Sequence, residues 1–263
     1  MRRSVVLVIL FALLAPSCRS DEIELSYEYE AGDSLTYTMT ADARASWDIG
    51  GEGSGSYRTT MNVTETIESL ADGAIVTVVM EPVEVEEDGL PSPGTEDRTF
   101  TLRIGQSGEV LEVLEVDGVP ASALDQEQLS LIGTYRPPLP LDPVGLGDTW
   151  RSQQQVQLPS AFQRVVTVGE LESLNVGDEG AIAEVSYDGE GPLAWTTALP
   201  QGDAELTGTT TSTSRATVDI ERGYLRSASS TTAGDFEVRA TPTSGGALTG
   251  TLHLELDLRL TLR

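Results

Sequence analysis

Six leucines at alternate positions near the C-terminus constrain this chain more than any other feature. Leu252, Leu254, Leu256, Leu258, Leu260 and Leu262 are interleaved with His253, Glu255, Asp257, Arg259 and Thr261. Successive side chains of a strand point to opposite faces, so this stretch has one apolar face and one wet face. A slip of one residue would bury the charges and expose all six leucines, which fixes the register firmly.

The same alternation recurs along the chain. Leu35, Tyr37, Met39, Ala41, Ala43, Ala45, Trp47 and Ile49 alternate with polar residues, then Gly50 to Ser56 read as a flexible turn. Tyr57, Thr59, Met61, Val63 and Ile67 return as the second arm of a hairpin. The first and last strands each span roughly 40–50 Å, about twice the usual strand length, which calls for a twisted, curved sheet. Further strands are expected over 75–86, 98–104, 110–116, 149–158, 163–174, 181–187, 215–220 and 236–240. Pro82 cannot donate to a ladder and belongs at an edge or a bulge. One short helix is expected from Ser122 to Ile132. Ser122 and Asp125 have capping-box spacing and Gly133 supplies a stop, before a stiff proline-rich connector, Tyr135 to Pro140.

Three landmarks occur twice in the same order. Gly32-Asp33-Ser34 is answered by Gly147-Asp148-Thr149, and Glu68-Ser69-Leu70 by Glu172-Ser173-Leu174. The turn from Ile104 to Val110 is answered by the turn from Ile220 to Leu225. The chain is therefore read as a duplication, with a first β repeat over 27–120, a helix and connector over 121–140 and a second repeat over 141–263. The expected fold is mainly β: an antiparallel, internally duplicated curved sheet, half-barrel or sandwich-like, with one short helix between the repeats.

The first 17 residues read as a signal peptide. Arg2 and Arg3 precede an apolar run of eleven residues, Val5 to Ala15, too short to span a bilayer. Ala15-Pro16-Ser17-Cys18 resembles the bacterial lipobox, which implies that Cys18 is acylated and that residues 18–26 form a tether. Arg19 is not the aspartate that the lipobox rule associates with inner-membrane retention, which implies the outer membrane in a two-membrane host. After Cys18 stand 14 arginines, no lysine and 42 carboxylates, a net charge of −28. Phosphate backbones and anionic lipid would repel such a chain, so nucleic acid is not an expected partner.

With Pro143 to Trp150 as P-x-x-x-GDTW and the earlier Gly32-Asp33 strand start, the mature chain resembles exported bacterial lipoproteins without an established function. More distantly, in architecture alone, it resembles the lipoprotein-carrier folds, in which a curved antiparallel sheet wraps an apolar cavity. That resemblance implies an apolar ligand. This chain offers one evident helix where a closed carrier has two or three.

Catalytic signatures are few. The single histidine, His253, alternates with leucines beside Glu255 and Asp257, a solvated cross-strand position. There is no G-x-S-x-G elbow, no zinc-type cluster and no nucleotide loop. The acidic run Glu84, Glu86, Glu87, Asp88 lacks the calcium-loop pattern. No enzyme activity, cofactor or metal is expected. The candidate site lies on the apolar face of the first strand. Ala41, Ala43 and Ala45 are small and lie between Tyr37-Met39 and Trp47, so something must fill the space above them. One filler is an apolar ligand walled by Tyr37, Met39 and Trp47. The other is the helix or a partner sheet packing closely. Two functions follow: a membrane-tethered binding module for an apolar or lipid-like molecule, or a structural or protein-interaction lipoprotein of the envelope with no small ligand.

Overall fold

A computed structural model describes residues 22–70, 74–94, 96–124, 136–158, 161–177, 180–199, 202–242 and 246–263. The signal segment, Cys18, residues 125–132 of the expected helix and the start of the connector, 133–135, lie outside the described residues. Ala121–Ala123 form a single 3-10 turn.

Among the described residues, thirteen strands make one antiparallel sheet. In chain order they are β1 (Ser34–Ile49), β2 (Glu52–Ser69), β3 (Ala74–Glu87), β4 (Leu90–Pro91), β5 (Arg98–Ile104), β6 (Val110–Val116), β7 (Val119–Pro120), β8 (Thr149–Leu158), β9 (Ala161–Gly177), β10 (Gly180–Leu199), β11 (Gly202–Asp219), β12 (Tyr224–Pro242) and β13 (Leu248–Leu262). The spatial order is β7-β6-β5-β3-β2-β1-β13-β12-β11-β10-β9-β8, with β4 beside β3. Two meanders thus run outward from a central seam, where β1 pairs with β13 from Tyr37↔Leu262 to Ile49↔Gly250. The sheet is curved and does not close. It is one sheet, not a sandwich of two.

The leucine alternation holds its two faces apart, but only one of the six leucines is fully buried. Leu260 is 1% exposed in the core, whereas Glu255 and Arg259 on the opposite face are exposed. Pro82 sits beside a bulge: Thr60 faces Glu84 and Met61 faces Pro82, so Val83 is left over. The pairing of β3 with β5 ends at Met80, so β5 makes no bond to Pro82 from that side. The Gly50 turn is tighter than expected, since β2 begins at Glu52 and contains Gly53 and Gly55.

The two Gly-Asp landmarks make matching backbone bonds. Gly32 N–H donates to Ile67 O (2.8 Å) and Ile67 N–H to Asp33 O (2.9 Å). Gly147 N–H donates to Leu171 O (2.9 Å) and Leu171 N–H to Asp148 O (3.2 Å). Both glycines have positive φ, 98° and 81°, which favours glycine at this turn.

The core fills one end of the sheet's inner face. Val63, Ile67, Val76, Val78, Leu102 and Ile104 come from one meander, and Val185, Val218 and Leu225 from the other. The segment 22–30 and the connector 136–148 thread between them. Ile23 and Val144 exchange backbone bonds of 2.8 and 2.9 Å. Tyr27 N–H donates to Gln106 O and Glu28 N–H to Gly223 O, both 2.9 Å, so one short segment ties the hairpin turns of the two meanders together. Arg136 locks this plug. Its guanidinium pairs with the inward carboxylate of Glu65, and it lies 5.0 Å above the Tyr27 ring and 5.4 Å from the Tyr29 ring. Both ions are buried, so each needs the other to offset its desolvation.

Candidate functional site

The plug covers only part of the inner face. Following the register outward gives successive cross-strand rows. Met39 faces Leu260, then Ala228, Ala216 and Val185, a dry row within the core or packed against it. Next comes Ala41 with Leu258, Ser230, Ser214 and Tyr187. Ala43 then lies with Leu256, Thr232, Ser212 and Gly189, and Ala45 with Leu254, Gly234, Thr210 and Gly191. The last two rows run from Trp47 through Leu252, Phe236 and Gly208, and from Ile49 through Val238 and Leu206 to Trp195. At the far end Leu206, Val238 and Ala204 form a second, smaller core, with Trp195 and Leu252 packed on it.

Between the two cores runs a strip of alanine and leucine flanked by hydroxyls and glycines. Ala43, Ala45 and Leu254 are half-buried and Leu256 is 39% exposed. An apolar side chain left this open beside a dry core is a surface with a use for a cover.

The candidate residues divide along this axis. Tyr37 (0% exposed) and Met39 (7%) lie inside the main core, so they form its floor rather than an open wall. Ala41, Ala43 and Ala45 line the strip, and Trp47, 38% exposed, stands at its outer end. Trp47 lies flat on its cross-strand partner: a methyl group built on Gly53 would stand 2.5 Å from the indole. Residues that the sequence alone does not assign to the site complete the strip: Tyr57 opposite Ala43, Leu254, Leu256, and the hydroxyl wall of Thr210, Ser212 and Thr232. The leucine alternation is the signal that reaches Leu254 and Leu256. No periodic signal marks the hydroxyl wall.

Burial raises the phenol pKa values of Tyr27, Tyr37 and Tyr187, and pushes Tyr29 up to about 12 even though Arg136 pulls it down. All four are neutral at physiological pH. An open depression of about 950 Å³ is lined by Asp48, Glu52, Thr207, Thr209, Asp235, Glu237 and His253 of the polar face together with Trp47, Phe236 and Leu252 of the Trp47 row. His253 contacts Asp235 through Nδ1 (2.8 Å) and Glu255 through Nε2 (3.4 Å), and both carboxylates raise its pKa. Among the described residues no group of three His, Cys, Asp or Glu side chains has the geometry to hold a metal, and no helix is long and apolar enough to cross a membrane.

No protein-family model matches this chain, and no curated protein matches it. Among solved structures it is similar to lipovitellin, in a structure concerned with lipid–protein interactions in that protein. The TM-score is 0.48 at 10% identity, over 90% of this chain and 25% of that one. The chain thus spans about a quarter of the length of the lipovitellin chain.

Proposed function

We propose that this protein is an exported bacterial lipoprotein, tethered through acylated Cys18, that holds an apolar or lipid-like molecule on the inner face of its curved sheet. The observation that carries this reading is the open strip between two cores: Ala43, Ala45, Leu254 and Leu256 remain accessible on the face that is dry at both ends. Covering such a strip with an acyl chain removes apolar surface from water, at about 25 cal/mol per Å². The role needs no catalysis, and we propose none. The domain would sit in the periplasm or at the cell surface, on the outer membrane in a two-membrane host.

Native mass spectrometry of the exported domain tests the ligand. An adduct of lipid mass is expected, and Ala43→Leu with Ala45→Leu should displace it by filling the strip. A clean apo mass after growth and extraction in lipid would sink the proposal. Intact mass of membrane-extracted protein tests the anchor: the chain should begin at Cys18 and carry acyl groups.

A second reading, a structural or protein-interaction lipoprotein of the envelope, has its own observation. Among the described residues β8 pairs only with β9, and its ten residues include no carboxylate in a chain that has 42. An edge without acidic guards is a place for another strand to add. The apo result above, with a partner cross-linked at β8, would favour it.

A further inference from the structure

Large apolar side chains stand bare at the plugged end of the sheet. Leu141 is 84% exposed, more than any other large apolar side chain among the described residues, and Leu146 is 63% exposed. They flank Val144, which is buried and exchanges backbone bonds with Ile23. The stretch that carries them is held on both sides: Leu139 N–H donates to Ser107 O and Gly147 N–H to Leu171 O, both 2.9 Å. β1 begins at this end of the sheet, and β2 and β9 finish at it. Val176, 75% exposed near the end of β9, and Leu70, 51% exposed just past β2, add to the same rim.

A lone exposed leucine needs no explanation, but a group of them beside an anchor does. Ile23 follows Cys18 by five residues, about 17 Å at full extension. β1 runs about 50 Å from Ser34 to Ile49. A chain anchored at Cys18 therefore cannot stand on its Ile49 end, because Ile23 and Val144 would then lie farther from the bilayer than the tether reaches.

We propose that the plugged end is a membrane-docking face: Leu141 and Leu146, with Leu70 and Val176 at the rim, rest in the interface of a lipid bilayer and stand the sheet upright on it. The proposal rests on the acylation of Cys18 proposed above and adds the face that the domain turns to the bilayer. With 42 carboxylates against 16 arginines, attraction to anionic lipid is not available to this chain, so the contact is apolar. Of the two carboxylates in 136–148, Asp148 accepts from Gly145 N–H (2.8 Å), and Asp142 lies beside Leu141 at the level of the headgroups. The plug then stands between the bilayer and the strip, which opens away from the membrane.

The test uses the full chain, extracted from membranes with its acyl groups and returned to phosphatidylcholine vesicles. The sulfur of the sole native cysteine then carries lipid, so Leu141→Cys, Leu146→Cys and Leu248→Cys each offer one thiol for a polarity-sensitive fluorophore. All three leucines are exposed, so no substitution touches the core, and Leu248 opens β13 at the opposite end. Labels at 141 and 146 should shift to the blue and lose most of their emission to lipids brominated high on the acyl chain, and the label at 248 should do neither. Labels at 141 and 146 that stay in water, on protein whose intact mass shows acylated Cys18, overturn the docking face and leave the anchor standing. Equal quenching at 248 means that the sheet lies flat, which also overturns it. An intact mass without acyl groups on Cys18 overturns the anchor reading, and the docking face with it.

Discussion

Trp47 and Gly53 face each other across β1 and β2, and their contact depends on a missing side chain. The same pairing recurs at Trp150 with Gly169 and at Phe236 with Gly208. At Gly53 and Gly169 the indole occupies the place where a Cβ would stand, which covers the glycine and spares the strand its exposed backbone, whereas at Gly208 the Asp235 carbonyl oxygen is nearer still than the Phe236 ring. Gly53→Ala and Gly169→Ala should each cost about 1–3 kcal/mol through overpacking, read as a shift in the urea midpoint at unchanged slope. A variant as stable as wild type would show that the rings move aside freely. His253 offers a pH test of the polar face. Asp235 and Glu255 favour its charged form, so its folded pKa lies above the ordinary 6.5. The stabilisation is fully present below 6.5 and is lost as pH rises through the raised value. As the sole histidine, its ring proton shifts should titrate above 6.5 by NMR, and Asp235→Asn should bring the midpoint back down.

At the scale of elements, the seam of β1 with β13 is what joins the two meanders into one sheet. Removing residues 248–263 would expose the edges of β1 and β12 at once, and would strip the β13 partners from Tyr37 to Ile49. We expect loss of a single cooperative melt and a shift to oligomers, seen by calorimetry and size exclusion; a monomer with one sharp transition would contradict it. This seam was legible in the sequence as two strong alternations, but not as a pair, because register depends on partners far apart in the chain. The long middle strands were harder to read. β10 and β11 run on through Gly189, Gly191 and the stretch from Thr207 to Ser214, where both faces carry glycine or hydroxyls and no apolar period exists. The β-propensity of threonine and pairing on both flanks of β11 supply what pattern does not. Pro192 is tolerated because β9 pairs with β10 only as far as Glu190. The candidate site was half legible for the same reason. Its alanines and Trp47 share one strand, while the leucines and hydroxyls that complete the strip come from strands that only the fold brings alongside. Tyr37 and Met39 have the same parity as the strip, and only the course of the plug assigns them to the core.

The molecule as a whole carries far more negative charge than its contacts neutralise. Its arginines work where carboxylates crowd. Asp42 and Asp257 face each other across the central seam, and Arg44 lies within 4.0 Å of both. Arg58 adds a second bond to Asp42 at 2.6 Å. Sixteen arginines cannot do this for 42 carboxylates, and on a thin, open sheet the excess lies on exposed faces and loops. Self-repulsion then opposes the compact state over distances that salt screens, with a Debye length of about 10 Å at 0.1 M and about 3 Å at 1 M. The local ion pairs weaken in salt too, but exposed pairs contribute only about 0–1 kcal/mol each. The balance fixes the sign: stability should rise with sodium chloride, by a few degrees in Tm between about 0.05 and 0.5 M, while Arg44→Gln should lower Tm most at low salt, where Asp42 and Asp257 are least screened. A Tm that falls with salt would mean that the paired arginines outweigh the bulk repulsion, and the acidic surface would then need a role beyond keeping an open sheet in solution.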